Sequence, residues 1–320
     1  MTRILSRTDL ISLLDPAACI KALREGFRQS REATVPGLRV RTDLPFPGTA
    51  TALLPGLLPG IDAYTVKVNA KFPAARPALR GVICLHSGRD GELLALLDSA
   101  TITAWRTGLA AALGTHELAA DPEGGTVLGI IGAGAQAEQV LTGLRLLRHV
   151  AGLVVHDIDP ARAHAFATRH GGQAVDSPAA VAAHADTVVL ATWSRTPLLS
   201  LDATRPGQHF TTLGVDEPGK QELAGDLLAD SLLVVDDRDL AGTSGVLTGT
   251  PLTATTLGEV LRGTRPGRTT PTQRTVYAPV GLPWQDLALS WLAHQEAEHH
   301  TIGLHVDFLA DPSTSDATTR

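Results

Sequence analysis

The stretch Thr126-Val-Leu-Gly-Ile-Ile-Gly132-Ala-Gly134-Ala-Gln136-Ala137 constrains this chain more than any other. A short run rich in branched apolar residues reads as a buried strand, and it stops at Gly132. From Gln136 the pattern turns helical, with Val140, Leu141, Leu144 and Leu147 recurring at helical spacing. Gly132-x-Gly134-x-x-Ala137 is therefore a strand-to-helix turn of the dinucleotide-binding kind. Gly132 permits the tight turn, Gly134 lets backbone approach a pyrophosphate, and the small Ala137 allows helix and strand to pack closely. The helix start, with Ala135 and Gln136, offers N–H groups and a partial positive charge to phosphate.

The next apolar run, Gly152-Leu-Val-Val-His-Asp157, reads as a second strand tipped by an acid. Asp157 falls near the place where a carboxylate takes the adenosine ribose hydroxyls. Asp157 and Asp159 would repel a 2′-phosphate, so NAD is the expected cofactor and NADP the less favoured one, a preference that the nearby Arg162 tempers. From Thr126 onward strands at 126–131, 152–157, 186–192, 209–214, 231–236 and 274–277 alternate with helices at about 136–148, 160–170, 178–184 and 221–229, and a further one over 255–261. That alternation is the signature of a parallel sheet with crossovers, hence an α/β fold with a Rossmann-type domain.

Upstream, Asp15-Pro16 reads as cap and first turn of a helix reaching Phe27. Arg39 and Arg41 follow in an irregular stretch after Pro36-Gly37. Residues 49–54 alternate weakly, whereas 64–69, 82–86 and 93–97 read as strands, the last two joined by a hairpin over 87–91. A helix from about 100 to 118, capped by Asp98 or Ser99, buries Ile102, Trp105, Leu109, Ala112 and Leu113 and carries Arg106 beside that stripe. The polar link 121–125 marks a domain boundary. A last helix runs from Pro283 to about His299 and packs back onto the first domain. The expected division is 1–120 plus 283–310 as a discontinuous α+β substrate and dimerisation domain, 121–282 as the NAD-binding Rossmann domain, and a disordered tail from Asp311.

With 320 residues, 43% of them hydrophobic, the chain can build two substantial cores. Its 27 basic and 33 acidic side chains give a net charge of −6 with no basic stripe, which argues against nucleic acid and anionic membrane as partners. No uncharged apolar run is long enough to span a bilayer. Cys19 and Cys84 form no CxxC pair and read as reduced, buried thiols of a cytoplasmic protein. His294, Glu298, His299 and His300 match neither HExxH nor HxxEH, so no metal site is expected there.

Several separated motifs then converge. They are Val66-Lys67-Val68 with Phe72-Pro73, Thr103-Ala-Trp-Arg106-Thr107-Gly, the Gly132 turn, Leu213-Gly-Val-Asp216-Glu-Pro-Gly-Lys220-Gln-Glu-Leu223 and Gly281-x-x-x-Gln-Asp286. In this order the chain resembles the ornithine cyclodeaminase/mu-crystallin family over nearly its whole length, to about residue 300. The resemblance implies a Rossmann domain plus a substrate domain built from both termini that forms a homodimer. It also implies hydride transfer between nicotinamide and the α-carbon of a small amino acid or the matching imine. Arg41 and Arg106 match the family's carboxylate-binding arginines, and guanidinium groups hold carboxylates bidentately. Lys67 and Asp216 are the matching acid/base pair. Thr107, Thr192 and Gly281 join the glycine turn and Asp157 as expected cofactor contacts. Lys220 and Glu222 are expected to shape the turn and the helix start.

Two departures stand out. Ala52 occupies the place where active cyclodeaminases of the family carry a glutamate, which argues against redox-neutral cyclodeamination of ornithine or lysine. Pro279-Val280-Gly281 replaces the family's Ser-Thr-Gly, leaving the backbone of Gly281 to contact the nicotinamide. Redox-neutral cyclodeamination with release of ammonia, and a non-catalytic nucleotide and small-ligand binding role, are the alternatives left open.

Overall fold

In a computed structural model of the chain, the described residues are 1–30, 37–72, 74–75, 77–217, 219–308 and 310. They form two compact units. The first comprises Met1–Asp15, Ala33–Thr103 and Pro283–Arg320, the second Pro16–Glu32 and Ala104–Leu282. This division takes residues 16–32 and 104–120 into the second unit, whereas the polar link placed the domain boundary at 121. The polar tail expected from Asp311 lies outside the described residues.

The first unit opens with β1 (Thr2–Leu5) and α1 (Arg7–Leu13), and the second takes α2 (Pro16–Gln29). The first unit then continues through β2 (Leu38–Asp43), β3 (Thr49–Gly56), β4 (Ala63–Lys71), β5 (Leu79–Ser87) and β6 (Leu93–Asp98). The expectation of an irregular stretch at Arg39 and Arg41 fails: both lie on β2, which pairs antiparallel with β3 from Leu38↔Leu54 to Asp43↔Thr49. Alternation in β2 was hidden because its exposed positions include Leu38 and Val40. Helix α3 (Ser99–Leu118) begins where Asp98 accepts the Thr101 N–H at 2.9 Å, so Asp98 is the cap.

In the second unit follow β7 (Thr126–Ile131), α4 (Ala135–Leu147), β8 (Val150–His156), α5 (Pro160–His170), β9 (Gln173–Ala174), α6 (Pro178–His184), β10 (Thr187–Leu190), β11 (His209–Thr212), α7 (Gly225–Ala229), β12 (Leu232–Val235), α8 (Arg238–Ser244), β13 (Thr255–Thr256), α9 (Leu257–Leu261) and β14 (Thr275–Tyr277). The first unit closes with α10 (Pro283–His300) and β15 (Leu304–Val306). Caps set several of these starts: Asp159 before Pro160, Ser177 before Pro178, and a Thr256–Glu259 capping box. The helix expected over 221–229 begins only at Gly225, because Leu223 is drawn into a parallel bridge with Leu199.

The second unit's sheet has the order β13-β12-β14-β11-β10-β7-β8-β9, every pair parallel. Alternate residues of one strand feed opposite cores: Val188 and Leu190 of β10 join Phe210 and Leu227, while Val189 joins Leu141 and Phe166. Burial on both faces is why these strands read as continuous apolar runs.

The first unit's sheet runs β15-β1-β6-β5-β4-β3-β2. On β4 the odd positions Ala63, Thr65, Lys67 and Asn69 are buried, and α10 packs against β3, β4 and β5. The even positions open outward. Val40, Ala52, Val68 and Val82 stand in register across β2 to β5, and the three valines are 47%, 49% and 36% exposed. Cys84 also lies on this face and is only half-buried, against the expectation of a buried thiol. No helix among the described residues is long and apolar enough to cross a membrane.

Candidate active site

The glycine turn of the second unit forms as its sequence demands. Gly132 has φ +98°, and a Cβ there would lie 2.6 Å from the Ala191 carbonyl oxygen, so no side chain fits. Gly134 is the N-cap of α4 and supplies no side-chain acceptor, so the first amides of the helix, Ala135 and Gln136, need a partner from elsewhere. Asp157, just past β8, closes on this turn. Its Oδ2 accepts the Ala133 N–H at 2.8 Å and its Oδ1 the Asp159 N–H at 2.9 Å. A carboxylate can accept further hydrogen bonds at both oxygens, so Asp157 retains capacity for hydroxyl donors. Arg162 reaches to 3.7 Å of the same carboxylate, and Ile158 beside it is 96% exposed.

Further along the sheet, a buried carboxylate holds the loops that follow two strands. Glu222 accepts the Thr192 N–H at 2.7 Å and its hydroxyl at 2.5 Å through Oε1, and the Thr212 hydroxyl at 2.6 Å and Gly214 N–H at 2.8 Å through Oε2. Burial pushes its carboxyl above the usual range, and these four donors pull against that shift. Glu222 thus ties the ends of β10 and β11 together and engages the donors of Thr192. It starts no helix, contrary to expectation. Two residues beyond Gly214, Asp216 accepts from Lys220 Nζ at 2.7 Å, and Glu217 stands 3.0 Å from the same ammonium. Burial lowers the Lys220 pKa, but the two carboxylates more than offset it and hold it above the ordinary value.

Arg106 of α3 is 7% exposed, and a Cβ on Gly281 would fall 2.1 Å from its Nη1. The Gly281 N–H donates to Asp236 at 2.6 Å. Thr107 keeps a buried hydroxyl without a partner among the described residues, which leaves it a donor to give.

In the first unit Lys67 of β4 is 1% exposed, and its Nζ lies 2.6 Å from Oδ2 of Asp286 in the first turn of α10. Thr103 takes a weaker hydrogen bond from the same ammonium at 3.4 Å. Asp286, a residue to which sequence reasoning gave no role although it closes the Gly281-x-x-x-Gln-Asp286 motif, is thus a carboxylate in contact with Lys67. Arg41 stands 3.2 Å from the exposed Asp43. Ala52 lies on the sheet face opposite to Lys67, since Leu53 is the residue paired with Lys67. A glutamate at 52 would face outward with Val68, so alanine there carries no argument against cyclodeamination. Among the described residues no group of three or more His, Cys, Asp or Glu side chains is placed to hold a metal ion.

Comparison with known proteins identifies a family and its solved structures. The sequence profile of the ornithine cyclodeaminase/mu-crystallin family aligns with residues 1–301. Alanine dehydrogenase of Archaeoglobus fulgidus is 30% identical over 72% of this chain and 75% of its own. The structure of Thermococcus litoralis Δ1-pyrroline-2-carboxylate reductase in complex with NADH and L-proline superposes with a TM-score of 0.88 at 26% identity, covering 95% of this chain and 100% of that one. A dimeric archaeal alanine dehydrogenase with bound NAD gives 0.87 at 26% identity, over 96% and 99%.

Proposed function

Given that the chain belongs to the ornithine cyclodeaminase/mu-crystallin family, we propose that it is an NAD-dependent oxidoreductase acting at the α-carbon of a small amino acid or its imine, as an amino-acid dehydrogenase or ketimine reductase. The observation that carries this reading is the buried Lys67–Asp286 pair, 2.6 Å apart. Holding an ammonium this far from water carries a desolvation cost that its partners must offset, and such groups concentrate at sites of proton transfer.

The residues fit the cofactor. The uncapped start of α4 suits a pyrophosphate, Asp157 suits the ribose hydroxyls, and Thr107 has a hydroxyl to offer. Nicotinamide, when bound, supplies or accepts the hydride. Arg106 and Arg41 hold the substrate carboxylate. Oxidation of a C–N bond needs a neutral amine: Lys67, once it has passed its own proton to Asp286, takes the proton of the substrate ammonium, and the reverse transfer returns it. Asp216 supplies the anion beside which an iminium develops. A homodimer is proposed through the outward apolar row of the first unit's sheet, which a second copy of the same face would cover.

The test is a panel with absorbance of reduced nicotinamide as readout: NADH with Δ1-pyrroline-2-carboxylate or with pyruvate plus ammonium, and NAD with L-alanine, L-proline or L-ornithine. Net oxidation or reduction of the cofactor is expected. Ammonia released from ornithine with no net absorbance change would replace this reading by redox-neutral cyclodeamination, and silence across the panel by a ligand-binding role. Asp216→Asn should keep cofactor binding while turnover falls at least about a hundredfold, the scale of a positioned proton-transfer group.

A further inference from the structure

The second unit holds a buried carboxylate, Asp236, that no motif assigned. It directly follows β12, is 7% exposed, and accepts three backbone N–H groups: Asp237 at 2.9 Å and Val280 at 3.0 Å on Oδ1, and Gly281 at 2.6 Å on Oδ2. Such a grip on two consecutive amides, Val280 and Gly281, fixes the orientation of the peptide that joins them. Gly281 has φ +96°, and where its Cβ would stand, 2.1 Å away, lies the Arg106 guanidinium. One residue is therefore held by Asp236 through its amide and offers its bare Cα to Arg106. The loop is also anchored at its start, where Tyr277 lays its ring against Gly114 of α3, 2.3 Å from the place of a Cβ there.

We propose that Asp236 is a positioning residue for Arg106: by gripping the Val280–Gly281 amides it keeps open the space in which the guanidinium lies, and so sets how tightly a carboxylate substrate is held. This rests on Arg106 as the carboxylate-binding group. An asparagine at 236 can keep one carbonyl oxygen for Val280 and Asp237, but it turns an NH2 group against the Gly281 N–H. Two donors at 2.6 Å repel, and Gly281 must move. Alanine at 281 reaches the same end directly by filling the space.

Kinetics with NADH and Δ1-pyrroline-2-carboxylate test this, together with NADH binding followed by its fluorescence. Asp236→Asn and Gly281→Ala should each raise KM for the imino acid about tenfold or more, with kcat changed by less than about threefold, the pattern of lost uniform binding. With Asp236→Asn the dissociation constant for NADH should stay within about twofold. Asp236→Glu, which keeps the carboxylate, should recover part of the loss. In an Arg106→Ala background Asp236→Asn should add nothing to KM, because both act through one group. A rise with Arg106→Ala but none with Asp236→Asn overturns the proposal, as does full additivity or an equal loss of NADH affinity. An unchanged KM in Arg106→Ala refutes instead the carboxylate role of Arg106.

Discussion

Removing one member of the Lys67–Asp286 pair should cost far more than removing both. The two charged atoms are 2.6 Å apart, with side chains 2% and 1% exposed, so neither can regain water when its partner goes. Lys67→Met takes the ammonium away from the buried Asp286 carboxylate, and Asp286→Leu takes the carboxylate away from the buried ammonium; each should lose about 3–5 kcal/mol of unfolding free energy. The double variant replaces a buried ion pair by apolar groups of similar bulk. It should lie within about 1 kcal/mol of the parent or above it, less a few tenths for the charge lost from the first turn of α10. Equilibrium urea unfolding followed by circular dichroism measures all four proteins. Turnover in the panel measured on the double variant then separates stability from chemistry: a well-folded protein without activity is expected. Single variants as stable as the parent would refute the burial argument, and a double variant that turns over normally would refute Lys67 as the proton carrier.

Three further outcomes follow from the geometry. His209 is fully buried between Thr275 and Thr211, at 2.8 and 2.9 Å, and burial with Arg268 and Arg148 nearby holds its pKa well below 6.5. The unfolded chain then binds the proton more readily, so stability is complete above about pH 6.5 and declines below it by up to about 1.4 kcal/mol per pH unit; urea midpoints should show that decline, and His209→Asn should flatten it. Gly132→Ala must place a methyl 2.6 Å from a backbone oxygen at φ +98°, and fluorescence titration should find NADH affinity reduced about tenfold or more while the variant stays folded. Val68→Glu puts a charge in the middle of the outward apolar row, and sedimentation velocity should show the proposed dimer dissociating, with a persistent dimer counting against that face.

The parallel half of the fold was legible because its strands are buried on both faces and its turns carry glycine, proline and capping residues at fixed offsets. Strand lengths ran over by one or two residues at their C-terminal ends, as at Thr192, Gly214 and Asp236. Those residues carry strand-like neighbours but spend their polar groups on loops. β2 was missed since exposed Leu38 and Val40 obscure its alternation, and β15 since three residues show no period. Within the candidate site, Asp157 and the glycine turn lie as spacing foretold, because their contacts are local. Lys67 and Asp286 meet across most of the chain's length, and no local pattern reports such a pairing. Asp236 was visible as an acid at a strand end and Glu222 as one at an expected helix start, but only coordinates show that their oxygens grip backbone amides.

The pairing of β1 with β15, and of Lys67 with a helix that begins at Pro283, has a consequence for how this protein is made. On the ribosome the first unit waits, its sheet lacking an edge strand and its interior lysine lacking Asp286, until almost everything between has emerged. The parallel sheet can settle meanwhile, since its strands lie in one continuous span. Such long-range closure slows the final step of folding, and the interval exposes the valine-lined strands to mispairing. A nascent chain stalled ahead of Pro283 should accordingly show a protected nucleotide domain tethered to a protease-sensitive remainder.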